Sequence, residues 1–201
     1  MSVVLACSAE ARITESGSIV GWGMQVIDSN GPGQVISVSA GSLHSLALKP
    51  DGSIVCWGDN YFGQSTPPDG NDFVAIAAGR YHSLALRSDG SIIGWGSNEY
   101  GQSTVSDGND FVAIAAGFLY SLAIRSDGTI VGWGDDSFGQ ATPPDGGGFV
   151  SIAAGLSHSL ALRSDGTIVG WGNDNFGLAT PPVGAYVSIA AGERHSLALK
   201  S

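Results

Sequence analysis

The chain has 201 residues, a formal net charge of -10, 31 glycines and 13% charged residues, too apolar for a disordered polymer and without the triplet period of collagen. Lys and Arg number 8 against 18 Asp and Glu. That balance argues against nucleic acid and against an anionic membrane surface, both of which need clustered cations, and fits a neutral or basic protein partner.

In chain order, Met1 to Ala11 contains an apolar stretch ending in Leu5-Ala6-Cys7. It lacks a basic leader and is too short for a secretion signal, and no run approaches the length of a membrane span, so the cytoplasm is favoured. Cys7 and Cys56 show no metal-ligand spacing and read as small buried hydrophobes. Residues 1–16 carry Glu10, Arg12 and Glu15 where the later pattern has apolar or small residues. They form a degenerate N-terminal segment of one domain spanning 1–201.

From residue 17 to 201 the chain repeats with a period of about 38. Trp57, Trp95, Trp133 and Trp171 are spaced by 38, as are Gly41, Gly79, Gly117 and Gly155, with Gly192 following after 37. One unit reads Phe73-Val-Ala-Ile-Ala-Ala-Gly79, Arg80-Tyr81, His82-Ser-Leu-Ala-Leu-Arg-Ser88, Asp89-Gly90, Ser91-Ile-Ile-Gly-Trp-Gly96, then a loop to Phe111. The apolar runs are four to seven residues long and bounded by turn residues, which predicts strands. Asp-Gly recurs at 51–52, 89–90, 127–128 and 165–166, and predicts two-residue type I′ hairpins with positive φ at both positions. Leu84 and Leu86 alternate with Ser83 and Ala85, giving one bulky and one small face, and Ala77, Ala78 and Gly94 are small enough to admit a neighbouring sheet. Proline in Thr66-Pro67-Pro68 and Thr142-Pro143-Pro144 marks crossovers between sheets.

These units predict an all-β fold, a small β-propeller of about five short blades. The last hairpin, Val187 to Lys200, has no Trp strand after it, and the Trp22 strand has no clear hairpin before it. Pairing the two closes a fifth blade and removes two sheet edges. The alternative counts six blades, one of them incomplete. Near-identical units also allow hairpin exchange, so the expectation is a monomer or a strand-swapped dimer.

Two sets of positions vary between copies. The pair after Ala-Gly is Ser42-Leu43, Arg80-Tyr81, Phe118-Leu119, Leu156-Ser157 and Glu193-Arg194, and the third copy also replaces His by Tyr120. The second set follows the Trp strand and includes Asp59, Tyr61, Glu99, Tyr100 and Asp136. Strand parity places both sets at one end of the wheel and the Asp-Gly hairpins at the other. The candidate protein-binding residues are therefore Leu43, Arg80, Tyr81, Phe118, Leu119, Tyr120, Leu156, Arg194, Asp59, Tyr61, Glu99, Tyr100 and Asp136, aromatic anchors among polar neighbours. Phe62, Tyr100, Phe138 and Phe176 share one repeating position before Gly, as packed loop anchors would. His44, His82, His158 and His195 recur once per blade. Four equivalent histidines cannot take distinct acid and base roles, so each is expected to bond a neighbouring backbone group. Asp69-Gly-Asn-Asp72 and Asp107-Gly-Asn-Asp110 resemble fragments of a calcium loop without its full ligand series. No metal, cofactor or catalytic centre is predicted.

The composite of Ala-Ala-Gly-x-x-His-Ser-Leu-Ala-Leu, Ser-Asp-Gly, Gly-Trp-Gly and Phe-Gly-Gln resembles the repeat of the regulator of chromosome condensation family, over nearly the whole of 17–201. That resemblance implies a β-propeller. The short unit is most similar to the branch containing the bacterial beta-lactamase inhibitory protein II, in which the matching loops carry partner-binding aromatics. The founding exchange factor has longer blades and seven of them, and the photoreceptor members carry tryptophan at the variable pair, which this chain does not. The expected function is a non-enzymatic protein-binding module, inhibitor-like in its most concrete form. The alternative is a lectin-like module with Asn60, Tyr61, Asn98, Tyr100, Asn175 and Phe176 as repeated sugar platforms.

Overall fold

The structure is a computed structural model and describes residues 17–18, 34–105 and 107–201. Its strands, in order, are β1 (Gly17–Ser18), β2 (Gln34–Val35), β3 (Ser37–Ala40), β4 (His44–Leu48), β5 (Ile54–Gly58), β6 (Phe73–Ala78), β7 (His82–Arg87) and β8 (Ile92–Gly96). There follow β9 (Phe111–Ala116), β10 (Tyr120–Arg125), β11 (Ile130–Gly134), β12 (Phe149–Ala154), β13 (His158–Arg163), β14 (Ile168–Gly172), β15 (Tyr186–Ala191) and β16 (Ser196–Lys200). No α-helix occurs among the described residues. Four antiparallel three-stranded sheets, β3-β4-β5 through β12-β13-β14, are followed by the two-stranded β15-β16, and β1 pairs with β2 in a separate short ladder. The first strands of successive sheets lie side by side, as in a propeller whose innermost strands face a common axis.

The core lies between blades. Leu46, Leu48 and Ile54 of one sheet meet Phe73, Ile76, Ala78 and Ala85 of the next. Leu84, Leu86 and Ile92 then meet Phe111, Ile114, Ala116 and Ala123. The third joint adds Tyr120 to Leu122, Ile124 and Ile130 against Phe149, Ile152, Ala154 and Ala161. The fourth sets Leu160 and Leu162 against Ile189 and Ala191. Bulky and small faces of the middle strands therefore interlock as the alternation predicts, and each fully buried Leu contributes about 1.5–3 kcal/mol. Gly94 has a different job from the one its size suggested. A side chain there would run into the Ser103 backbone, so the small residue admits the returning loop of its own unit and not a neighbouring sheet. In the last hairpin the bulky face is uncovered, with Leu197 and Leu199 each 63% exposed. The strand at Trp22 that was expected to complete this blade lies outside the described residues, as does the degenerate segment 1–16.

The Asp-Gly hairpins differ from the two-residue type predicted. Gly90 N–H donates to Arg87 O at 3.0 Å and Arg87 N–H to Ser91 O at 2.8 Å, and Gly90 alone takes positive φ, at 84°, while Asp89 does not. This is the wider hairpin in which a type I turn is followed by a left-handed glycine. Asp89 is needed as an acceptor, since its Oδ1 receives Ser91 N–H at 2.9 Å and Ser91 Oγ–H at 2.7 Å. Those bonds hold its carboxyl below the usual range. The next strand begins against the same turn, with Phe111 N–H donating to Gly90 O at 3.1 Å.

The calcium-like fragments serve the fold at this end. Asp72 faces Arg87 at 3.7 Å and Asp110 pairs with Arg125 at 2.6 Å, while Arg87, Arg125 and Arg163 stack over Phe73, Phe111 and Phe149. Among the described residues no group of three His, Cys, Asp or Glu converges as a metal site would require.

Candidate functional site

Three of the four recurring histidines, His44, His82 and His158, are joints between blades, whereas His195 is exposed. His44 Nε2 lies 2.9 Å from Ser83 Oγ, His82 Nε2 3.0 Å from Ser121 Oγ, and His158 Nε2 2.9 Å from Ser196 Oγ. The partner is thus a serine hydroxyl of the next blade and not the backbone group expected, because radial stacking brings the position 38 or 39 residues ahead over the ring. Each serine in turn donates to a loop carbonyl: Ser83 to Gln64 at 3.0 Å, Ser121 to Gln102 at 2.8 Å. With its one proton so committed, the serine can only accept from the imidazole, which places the histidine proton on Nε2. The same carbonyls receive the tryptophans, Trp95 to Gln64 and Trp133 to Gln102, both at 2.9 Å. Burial pushes His44 down to about 4 and His82 down to about 3, with the neighbouring His44 ring adding to the effect at His82. Neutral imidazoles held in seams cannot act as exposed bases or ligands.

Tyr120 belongs to this machinery, and its placement on the binding face is corrected. It is 0% exposed. Its hydroxyl donates to His158 O at 2.6 Å, accepts from Gly155 N–H at 3.1 Å and lies 2.9 Å from Ser159 Oγ. The ring fills the histidine position of copy three, and the longer side chain reaches the next blade's backbone as well as its serine.

The two variable sets do meet at one end. Asp59 N–H donates to Leu43 O, Ser97 N–H to Tyr81 O, Asp135 N–H to Leu119 O and Asn173 N–H to Ser157 O, all at 2.8–2.9 Å. The first member of each variable pair turns inward. Ser42 N–H donates to Gly79 O, Arg80 N–H to Phe118 O and Phe118 N–H to Gly155 O, at 3.2–3.4 Å. Together with Leu156 and Glu193 from the next two copies, Ser42, Arg80 and Phe118 line a cavity at the axis. Ser42 and Glu193 were not singled out from sequence, although their place in the variable pair marks them.

Arg80 dominates this mouth. Its guanidinium carbon sits 4.5 Å from the centre of the Tyr81 ring and 4.1 Å from that of Phe118. Tyr81 packs in turn on Phe62 at 5.2 Å, and Tyr61 stands edge-on to Phe62 at 4.9 Å. Leu119 and Leu156 are half-buried beside them, whereas Leu43 and Arg194 are exposed.

The outer loops divide into staples and free surface. Gln64 Nε2–H donates to Asp59 Oδ2 at 2.6 Å. Asp136 receives Ala141 N–H at 2.7 Å and Thr142 Oγ1–H at 2.6 Å. Asn60 and Asn98 are engaged likewise, accepting from Ser65 N–H and Ser103 N–H and donating to Thr66 and Thr104. Amides closing their own loops are not presented as sugar donors. The aromatics depart from the packed-anchor expectation: Phe62 alone is half-buried, while Tyr100, Phe138 and Phe176 are exposed, as is Tyr61 at 83%. Glu99 is exposed.

The regulator of chromosome condensation (RCC1) repeat matches residues 35–64, 73–102, 111–140 and 149–178, one match per three-stranded blade and its loop. The chain belongs to the RCC1 repeat family. Solved structures similar to it include human WBSCR16, with 21% identity and a TM-score of 0.71 over 85% of this chain and 58% of that one. The ectodomain of the Physcomitrella patens receptor kinase CR4 matches at 26% identity and 0.66 over 79% and 47%. Prp20p from Saccharomyces cerevisiae matches at 23% identity and 0.69 over 83% and 56%. The chain thus spans about half the length of these structures. No curated protein matches it. No helix among the described residues is long and apolar enough to cross a membrane.

Proposed function

We propose that this RCC1-repeat propeller is a non-enzymatic protein-binding module that works through its variable end. One observation carries the reading. Within a frame whose joints repeat from blade to blade, Arg80, Tyr81 and Phe118 form a stacked cluster at the axial mouth that no other described copy reproduces. Structural contacts recur at the same positions from copy to copy, so an unrepeated aromatic cluster on an accessible rim has the character of a binding hot spot. Prp20p is described with its binding to Gsp1p and histones, and protein binding by a similar propeller fits the same role. An inhibitor-like action is the concrete form implied only by the resemblance to the branch containing the bacterial beta-lactamase inhibitory protein II. The engaged amides of Asn60 and Asn98 weigh against the carbohydrate alternative.

The test pairs affinity capture from the native source with measured affinities for the identified partner. Tyr81→Ala and Phe118→Ala are each expected to weaken binding by tenfold or more, about 1.4 kcal/mol. Unchanged affinity in variants with unchanged thermal unfolding would remove the variable end from the interface.

A further inference from the structure

Of the chain's eight Lys and Arg residues, five occupy one repeating position at the Asp-Gly end. Lys49, Arg87, Arg125 and Arg163 all donate N–H across the hairpin, and Lys200 pairs with Tyr186 as Arg163 pairs with Phe149. Those cations recur with the repeat, and three of them, Arg87, Arg125 and Arg163, stack on the phenylalanine of their own blade. Arg80 and Arg194 are the cations of the variable end among the described residues, and Arg80 is the one that lines the axial cavity. An acidic molecule therefore places a positive charge at the centre of its most variable surface.

The manner in which Arg80 is held decides what it can recognise. The guanidinium carbon sits over the Tyr81 and Phe118 rings at 4.5 and 4.1 Å, so two aromatic rings flank the cation. Stacking leaves the in-plane N–H edge for hydrogen bonds, and that fork matches a carboxylate in bidentate geometry. Among the described residues the guanidinium forms no hydrogen bond or ion pair, whereas Arg125 at the other end is paired with Asp110 at 2.6 Å. Phe118 and Leu156 on the same rim are apolar and would exclude water from a docked ion pair, strengthening it, while Glu193, the one acidic residue lining the cavity, sets the repulsion that the Arg80 pairing must exceed.

We propose that the axial mouth is a carboxylate-binding subsite in which Arg80 receives an acidic side chain from a protein partner. This rests on the reading of the variable end as a protein-binding surface, and gives that partner a chemistry opposite to the basic one suggested by net charge. A nucleic acid is a poorer fit, since its phosphates need many cations and the chain as a whole would repel them.

The experiment is a titration of the 15N-labelled protein with N-acetyl-glutamate methylamide, following the Arg80 side-chain Nε–H and the backbone amides of Ser42, Arg80 and Phe118. Parallel titrations use the neutral N-acetyl-glutamine methylamide and inorganic phosphate. Saturable shifts are expected with the carboxylate, with a dissociation constant of about 1–10 mM, as befits one ion pair with a small apolar contact. Binding should weaken at least tenfold in Arg80→Gln, partially in Arg80→Lys, which keeps the charge and loses the fork, and not in Arg194→Gln. Equal shifts with the glutamine analogue, tighter binding of phosphate, or full retention in Arg80→Gln with a native-like spectrum would overturn the proposal. If the carboxylate fails to bind while partner capture still depends on Tyr81 and Phe118, this inference falls and the binding surface stands.

Discussion

Replacing His82 by Tyr transplants the solution that copy three already uses, and it isolates the acid sensitivity of one joint. His82 is fully buried, and desolvation, then the neighbouring His44, lower it from 6.5 to about 3. Above pH 6.5 the ring is neutral in both folded and unfolded chains and contributes no pH dependence. As the pH falls below 6.5 the unfolded chain takes up the proton first, so stability is lost down to about pH 3, where the folded ring also charges. At pH 4.5 the two states differ by two units of protonation free energy, which is about 2.7 kcal/mol. Tyr does not titrate here, and by analogy with Tyr120 its hydroxyl reaches the residue 120 carbonyl and Ser121. Urea unfolding of the wild type and His82→Tyr at pH 7 and pH 4.5 measures the effect. The wild type should lose about 2.7 kcal/mol more than the variant between the two pH values, on top of the loss from His44 and His158, which both share. Any repacking penalty from the larger ring, about 1–3 kcal/mol, cancels in the difference. An identical pH dependence in the two proteins would refute the assignment of His82 as a neutral, desolvated joint.

Trp133→Phe removes one of two donors to the Gln102 carbonyl, so the cost should be about 1 kcal/mol in urea unfolding, because Ser121 keeps the acceptor satisfied. Gly79→Ala places a methyl 2.6 Å from the Gly117 carbonyl oxygen and against the His82 ring. Thermal unfolding should show a loss of about 2–3 kcal/mol, since neither obstacle is a flexible side-chain end. Cys56 is pushed up to about 12 by burial. Mass-spectrometric mapping after brief iodoacetamide treatment at pH 8 should find it unmodified in the native protein and alkylated in urea.

Period and parity made most of the fold legible. A 38-residue spacing of Trp and Gly dictated the number and order of hairpins, and counting strand directions put both variable sets at one end. What escaped was the polar wiring between copies. The serine that receives each histidine lies one period plus one residue away, a distance that means nothing until sheets are stacked. Tyr120 read as a surface aromatic because its departure from His suggested freedom, when the seam simply tolerates a longer hydrogen-bonding ring. The turn type was misjudged for a local reason: Asp-Gly signals the tightest hairpin when Asp supplies only backbone, and here its carboxylate caps the residue after the glycine. Gln64, Gln102 and Gln140 gave no sign that they would be wholly buried. Polar residues in turn-rich loops look like surface, and their amides prove to close the turn, with Phe62 N–H donating to Gln64 Oε1 at 2.9 Å. At the axial mouth the aromatic and basic residues were legible individually. Their convergence on Arg80 was not, because it joins two neighbouring units.

The uniform wiring of the joints also bears on how such a molecule changes size. Where each unit presents an imidazole or phenol on its leading side and a serine on its trailing side, any unit can follow any other. Duplication or loss of 38 codons would leave both new seams with native partners, so wheels of this kind can gain or shed a sector without inventing an interface, and their rims can diversify while the spokes stay constant.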